Sequence, residues 1–546
     1  MTAPVPIEAR LTDTLRRVYP CTRLDELARL GIVPIPRNGA ASFQIAIHNA
    51  TPEPIRVSAS VVSSDELAAT IRRVGLVPMR HHNTATPRNH LDGVGHVPGF
   101  VPDPLFPGAE TTIGPFETQA FWISLHAADA PRRHRPSGRA ADGGRLHSVP
   151  VTITCEDGFR QTLEASVRLA DLVLQPLDDF PITHWFYADA LCDWYCCGPF
   201  EAAFWPVAER YMTNLTRHHN TCVYVPLFTP PTDGVKRPTQ LLGVRRRRDG
   251  TYAFSFAQVR RWLRTARRCG ARFFEWTHFF TQWGVERALR IYRSNADEQS
   301  LLWPPETAAT SPVYREFLRQ LLPQLRVFLE EEGVLDCSYF HVSDEPGVQH
   351  VENYRAAREM LRALAPWMKV CDALSDIEFG RLGLTDIPIP SIHAAPDYVA
   401  AGIPAWTYFC CGPRGTYLNR LMDTPLGKIR MAGRLLHRLG AQGFLHWGYN
   451  YWYRSQTREL IDPFDEQAGG AWPGWPYGDP FVVYPGHDGP IDSIRWEVWA
   501  EAMQDLAILR QTGIASDHPE LASIEGYGAF DWSGPSSPLD WGVPSR

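Results

Sequence analysis

From about residue 178 onward the chain alternates short apolar runs, rich in β-branched and aromatic residues, with longer stretches of helical periodicity. Adjacent parallel strands need a long crossover between them, usually a helix, so repeated βα texture predicts a parallel sheet. Eight candidate strands occur, at 182–188, 221–228, 273–279, 337–343, 370–374, 387–391, 405–410 and 443–449. Helices are predicted at 200–218, 256–269, 312–332, 351–364, 420–439 and 494–512, while the connections after the fifth and sixth strands carry little helical pattern. Eight such units predict a (β/α)8 TIM barrel over residues 176–515.

Residues 1–175 read differently. Strand-like runs recur at 42–48, 55–62, 119–125, 149–155 and 162–169, with turn-rich segments at 98–107 and 130–144 and one short helical stretch near 24–30. This predicts an N-terminal β-sandwich. It contains no nucleophile or ligand cluster, so its expected role is structural. Residues 516–546 are rich in Pro, Gly and Ser and read as an irregular tail.

Composition narrows the function classes. The chain is 44% hydrophobic and 21% charged, enough for sizeable cores, and its net charge of −6 argues against nucleic-acid or anionic-membrane binding. The runs Arg245–Arg248 and Arg132-Arg133-His134-Arg135 read as solvated loops, because Arg is this chain's default cation: Lys occurs only at positions 236, 369 and 428. Residues 1–20 hold no apolar stretch of signal-peptide length, and no 18-residue apolar run occurs. Eleven cysteines without CxxC spacing point to reduced thiols, a cytoplasmic location and no metal centre. No cofactor is expected, and the sequence leaves the oligomeric state open.

The fourth unit contains Tyr339-Phe340-His341-Val342-Ser343-Asp344-Glu345-Pro346. Read as a strand, it sends Phe340 and Val342 to one face and Tyr339, His341, Ser343 and Glu345 to the other. A buried parallel strand is ordinarily apolar on both faces, so a polar face implies a wet cavity. Adjacent carboxylates at the C-terminal end of a barrel strand, Asp344 and Glu345, are candidates for acid–base chemistry. The plainer alternative is an Asp capping the next helix with Glu on the surface.

Other strand ends add to this rim. The first leads to Asp189 and Asp193-Trp194-Tyr195, the third to His278 and Gln282-Trp283-Gly284, and the seventh to Tyr408. The eighth leads to Trp447, Tyr449, Asn450, Tyr451 and Trp452, followed by a loop with Trp472, Trp475, Tyr477, Asp479 and Tyr484. Hydrogen-bonding aromatics beside paired carboxylates describe a carbohydrate site. His278, Gln282, Trp283, His341, Tyr408, Trp447, Tyr449, Asn450 and Asp479 are the candidate substrate-binding residues.

An ordinary retaining glycosidase needs two carboxyls about 5 Å apart. The end of the seventh strand, Tyr408-Phe409-Cys410-Cys411-Gly412-Pro413-Arg414, offers no carboxylate nucleophile. Neighbouring strand residues face opposite ways, so Asp344 and Glu345 are expected to divide the work. Glu345 would protonate the leaving oxygen, which requires a raised pKa. Asp344 would hold the substrate's own 2-acetamido group, whose carbonyl oxygen attacks the anomeric carbon, and would stabilise the oxazolinium-like intermediate. Two alternatives stay open: a glycosidase of another sugar with a remote base such as Asp372 or Asp376, and a non-catalytic carbohydrate-binding barrel.

Several stretches also resemble a known family. They are Thr277-His278-Phe279-Phe280-Thr281-Gln282-Trp283-Gly284, the run from His341 to Pro346, and Gly443-Phe444-Leu445-His446-Trp447-Gly448-Tyr449-Asn450, together with Gly478-Asp479-Pro480-Phe481-Val482-Val483-Tyr484-Pro485-Gly486 and Ser493-Ile494-Arg495. Together they resemble bacterial proteins carrying the domain of unknown function 4091, which is related to glycoside hydrolase family 123. The resemblance implies a β-sandwich before a (β/α)8 barrel. It also implies removal of β-linked N-acetylgalactosamine, with Asp344 orienting the acetamido group and Glu345 as general acid.

Overall fold

The computed structural model describes residues 7–128, 144–234, 236–470 and 475–532. The basic run at 132–135, most of the expected turn at 130–144, Trp472 and the tail beyond residue 532 lie outside them.

Alternation of apolar and polar residues builds the N-terminal strands. In Gly144–Cys155, for example, Val149, Val151 and Ile153 turn inward between half-buried Thr152 and Thr154. Ten strands form two five-stranded sheets. One runs Ile7–Thr12, Ala40–Asn49, Thr118–Ala127, Leu67–Met79, Gly99–Pro107; the other runs Val33–Arg37, Arg160–Val173, Gly144–Cys155, Ile55–Val61, Glu110–Ile113. Phe43, Ile45, Phe121 and Ile123 of the first sheet share one core with Val151, Ile153, Val167 and Leu169 of the second. Each such side chain contributes about 1.5–3 kcal/mol by leaving water. The segment expected as a turn at 98–107 is instead the strand Gly99–Pro107. It tolerates Pro102, Pro104 and Pro107 because it is an edge strand with one side unpaired in the sheet.

By internal packing the chain forms two compact units, neither contiguous in sequence. The first joins the residues up to Pro176 with Arg414–Arg438 and the segment from Ile491 onward. Its long helix, Ile494–Thr512, starts at Ser493, whose hydroxyl accepts from the Trp496 N–H, and stops at Gly513 in the left-handed region. Within this unit Arg495 and Asp103, both fully buried, form a two-pronged ion pair at 3.0 Å. The helix expected at 420–439 is two short ones, Leu426–Arg430 and Ala432–Arg438.

The second unit comprises Leu177–Pro413 and Leu439–Pro490. All eight expected strands are present within it and run parallel, each shorter than its apolar run. Six form one sheet in the order Ser338–Tyr339, Phe273–Trp276, Cys222–Val225, Ile182–His184, Phe444–His446, Thr407–Tyr408. Cys371–Asp372 and Ile387–Pro388 form a separate pair. Isolated bridges flank that pair: Phe340 N–H donates to Lys369 O and Cys371 N–H to Phe340 O, while Tyr408 N–H donates to Pro390 O. The helices follow their periodicity. Pro312–Glu331, for instance, buries Tyr314, Phe317, Leu318, Leu321, Leu325 and Phe328 along one face. Arg245 and Arg246, expected in a loop, lie on an exposed hairpin strand, Gly243–Arg246. No helix among the described residues is long and apolar enough to cross a membrane.

Candidate active site

Beneath the rim lies a buried ionic knot. His341 follows the Ser338–Tyr339 strand and sits between two carboxylates, its Nε2 2.7 Å from Glu275 Oε1 and its Nδ1 3.1 Å from Asp372 Oδ1. Glu275 also accepts from Trp185 Nε1 and Thr183 Oγ1, and Asp372 from the Val342 N–H and the Tyr354 hydroxyl. Burial opposes the charge on His341, yet Cys371 and the hydrogen bonds to Asp372 and Glu275 hold its pKa well above 6.5. The result favours an imidazolium that ties the segment leading to Asp344 and Glu345 to the strands on either side. His278 stacks on His341 at 4.3 Å; burial, then its charged neighbour, keeps it neutral. Both His278 ring nitrogens are buried and find no hydrogen-bond partner among the described residues. His278, His341 and Asp372 place ligand atoms within 4.8 Å of one another, but both His341 nitrogens are already committed to carboxylates.

Asp344 stands above this knot, only 6% exposed. Its Oδ2 accepts from Gln282 Nε2 at 2.8 Å, and its backbone oxygen accepts from the Trp283 N–H at 2.8 Å. Gln282 Oε1 in turn accepts from the Asp233 N–H at 3.1 Å. A carboxylate on one side and an N–H on the other fix the amide's orientation. Glu345 is the solvent-accessible member, and its Oε1 accepts from the Tyr408 hydroxyl. Strand alternation does not separate the two acids, as the sequence led one to expect. Glu345 has left the strand, with φ of +46°, and Trp283 opposite has φ of +62°. Left-handed backbone at such side chains stores about 1–3 kcal/mol each and clusters at working sites.

Electrostatics separate the pair from an ordinary surface couple. Burial, then the neighbouring Glu345 and Asp233, raises the Asp344 pKa well above the usual carboxylate range. Desolvation by the protein around it also raises Glu345, accessible though it is, countered by the Tyr408 hydrogen bond and reinforced by Asp233. The Glu345 charge therefore disfavours ionisation of Asp344.

Of the other residues read from the sequence, Trp447 sits on an aromatic wall. Its Nε1 donates to Asp479 Oδ2 at 3.0 Å, and its ring meets Tyr451 at 5.3 Å and Trp475 at 4.9 Å. Trp283 is 47% exposed at the rim. Tyr449 and Asn450 do not join them. The Tyr449 hydroxyl contacts Tyr211 O and Asn214 Oδ1, and the Asn450 amide is engaged with the backbone of Tyr187 on both sides. Both follow Gly448, beyond the Phe444–His446 strand, where strand parity no longer applies. The remote bases are also committed: Asp372 is fully buried in the knot, and Asp376 caps a helix by accepting from the Glu378 N–H.

The sequence reading missed the loop after the second strand. Asp233, at φ of +58°, accepts from the Tyr187 hydroxyl at 2.9 Å, and the Lys236 Nζ lies 5.1 Å from both the Tyr187 and Tyr451 rings. The available signal was position: this loop leaves the C-terminal end of a parallel strand, on the same rim as the others.

Comparison with known proteins fits this geometry. The model of the glycoside hydrolase 123 catalytic domain matches residues 185–512, more than half of the chain. A family 123 glycoside hydrolase from Clostridium perfringens, described for glycolipid glycan hydrolysis, superposes with a TM-score of 0.70 at 15% identity, covering 93% of this chain and 88% of that one. A GH2 β-galacturonidase from Eisenbergiella tayi, at 11% identity over 91% of this chain and 72% of its own, reaches a TM-score of only 0.32. No curated protein sequence matches. The Clostridium likeness is one of fold, whereas the domain match covers the carboxylate pair and its rim: the chain belongs to glycoside hydrolase family 123 and is a glycoside hydrolase.

Proposed function

We propose that this glycoside hydrolase removes β-linked 2-acetamido sugars, of N-acetylgalactosamine type, by substrate-assisted retaining catalysis. Glu345 protonates the glycosidic oxygen. Asp344 accepts the acetamido N–H, aligns its carbonyl oxygen on the anomeric carbon and stabilises the oxazolinium-like intermediate. Burial favours a proton on Asp344. An arriving N–H donor favours the charged form of Asp344 and leaves the proton on Glu345, where the chemistry needs it.

The observation that carries this reading is the pairing of Asp344, held by Gln282, with Glu345, held by Tyr408, while the seventh strand offers that tyrosine where a nucleophilic carboxylate would stand. A thiazoline analogue of the N-acetylhexose should inhibit turnover of nitrophenyl 2-acetamido-β-glycosides. Full activity on sugars lacking the acetamido group, untouched by the thiazoline, would refute the mechanism.

A second reading keeps Glu345 as acid and uses a remote carboxylate as base. Asp233 supports it, since its charge bears on both members of the pair. Inversion at the anomeric carbon would select that reading.

We further read the eight parallel strands as one (β/α)8 barrel, which the bridges flanking the Cys371–Asp372 pair support. A nearer kinship with the domain of unknown function 4091 proteins rests on the motifs named above. A cytoplasmic setting is our reading of eleven cysteines without CxxC spacing.

A further inference from the structure

Lys236 is 5% exposed and makes no hydrogen bond through Nζ among the described residues, while its charge bears on the buried carboxylates Asp233 and Asp189. It is cradled between the rings of Tyr187 and Tyr451, each 5.1 Å away. The Nζ thus stands near two carboxylates and keeps hydrogen-bonding capacity for a substrate oxygen. Three residues earlier, Asp233 bonds to the Tyr187 hydroxyl through Oδ2, and its backbone N–H is tied through Gln282 to Asp344. One short loop thus sets a donor and an acceptor side by side, on aromatic surfaces, one glutamine away from the acetamido-orienting carboxylate.

We propose that Lys236 and Asp233 form a clamp for two neighbouring hydroxyls of the sugar being removed, the ammonium donating to one and the carboxylate accepting from the other. This rests on the proposed function, because that reading fixes the sugar's direction. With C1 at Glu345 and the C2 acetamido at Asp344, the next groups around the ring are the 3- and 4-hydroxyls. The clamp therefore reads O3 and O4 and distinguishes the galacto from the gluco configuration, which differ only at C4. The backbone supports such a role. Asp233 is held at φ of +58°, and the rings under Lys236 extend into the Trp447 and Trp475 wall.

The test is a substrate-deletion cycle on the full-length protein. The wild type, Lys236→Met and Asp233→Asn are assayed on nitrophenyl 2-acetamido-2-deoxy-β-galactoside, the gluco epimer, and the 3-deoxy and 4-deoxy analogues. Loss of one hydrogen bond to a charged group should lower wild-type kcat/KM ~10–100-fold for at least one deoxy analogue. In the matching variant the same deletion should change kcat/KM less than ~3-fold, since the partner is already gone. Equal deoxy penalties in wild type and both variants would overturn the clamp. So would Asp233→Asn abolishing turnover of every substrate while Lys236→Met changes nothing, the signature of a base. If the wild type turns over no acetamido glycoside, the proposed function fails on its own. The clamp is then judged by calorimetric titration with the methyl glycosides and their deoxy analogues. Thermal melting of each variant separates lost recognition from lost folding.

Discussion

The phenol of Tyr408 donates its hydrogen bond to Oε1 of Glu345, so the seventh strand holds the carboxyl that we propose as the acid. That bond favours the ionised carboxylate and restrains a pKa that burial raises. With Tyr408→Phe the Glu345 pKa rises further. A general acid loses activity as pH climbs through its pKa, so the alkaline limb of the kcat/KM profile should move to higher pH. Looser placement should also lower kcat about 10-fold. An unmoved limb would show that Tyr408 does not govern the acid.

Glu345→Gln removes the proton donor, and kcat should fall about 10²–10⁴-fold on poor leaving groups. Dinitrophenyl glycosides, whose leaving group needs no proton, should recover most of that loss. Uniform loss across leaving groups would contradict an acid role.

Asp344→Asn should inactivate the enzyme and stabilise it. A carboxyl whose folded pKa is raised detracts from stability once pH exceeds its unfolded value of about 3.9, and the deficit is complete above the folded pKa. Replacing the carboxyl at pH 7 should raise Tm by about 1–3 °C, measured calorimetrically. A lower Tm would mean that Gln282 compensates the charge fully.

His341 makes the opposite case. Its folded pKa is raised, so the stability it contributes is complete below about 6.5 and fades as pH rises through the folded value. Wild-type Tm should decline on the alkaline side of neutrality. His341→Leu should flatten that slope and remove about 3–5 kcal/mol, because Glu275 and Asp372 stay buried without their cation. Denaturant unfolding at two pH values checks both statements.

Gly448 marks a contact too close for any side chain. A Cβ there would lie 2.1 Å from Asp479 O and 2.8 Å from Pro480 O. Gly448→Ala must displace the segment whose Asp479 side chain anchors Trp447, so kcat/KM should fall about 10-fold or more. Steady-state kinetics with a parallel melting curve would detect it.

Much of this was legible in the sequence because periodicity survives burial. The eight apolar runs each hold a strand, and the helices Val351–Leu364 and Ile494–Thr512 end where their patterns end. Gly99–Pro107 escaped because its prolines are turn signals in any position except a sheet edge. Tyr449 and Asn450 were expected at the rim because they follow the eighth apolar run, but beyond Gly448 the chain is no longer a strand and both side chains are engaged elsewhere. Asp233 and Lys236 escaped for another reason: a Pro- and Gly-rich loop has no period, and only the barrel reading makes its location meaningful.

The patchwork origin of the two units bears on how the polypeptide matures. The first unit lacks its long helix until residues beyond Ile491 have been synthesised, and the second is short of the last of its eight parallel strands until Phe444–His446 emerges. Growth at the ribosome therefore cannot finish one half and then begin the other. Nascent sheets wait, with apolar faces uncovered, for partners encoded hundreds of codons later. A stalled or prematurely terminated chain should consequently be a client of chaperones or proteases rather than a stable fragment.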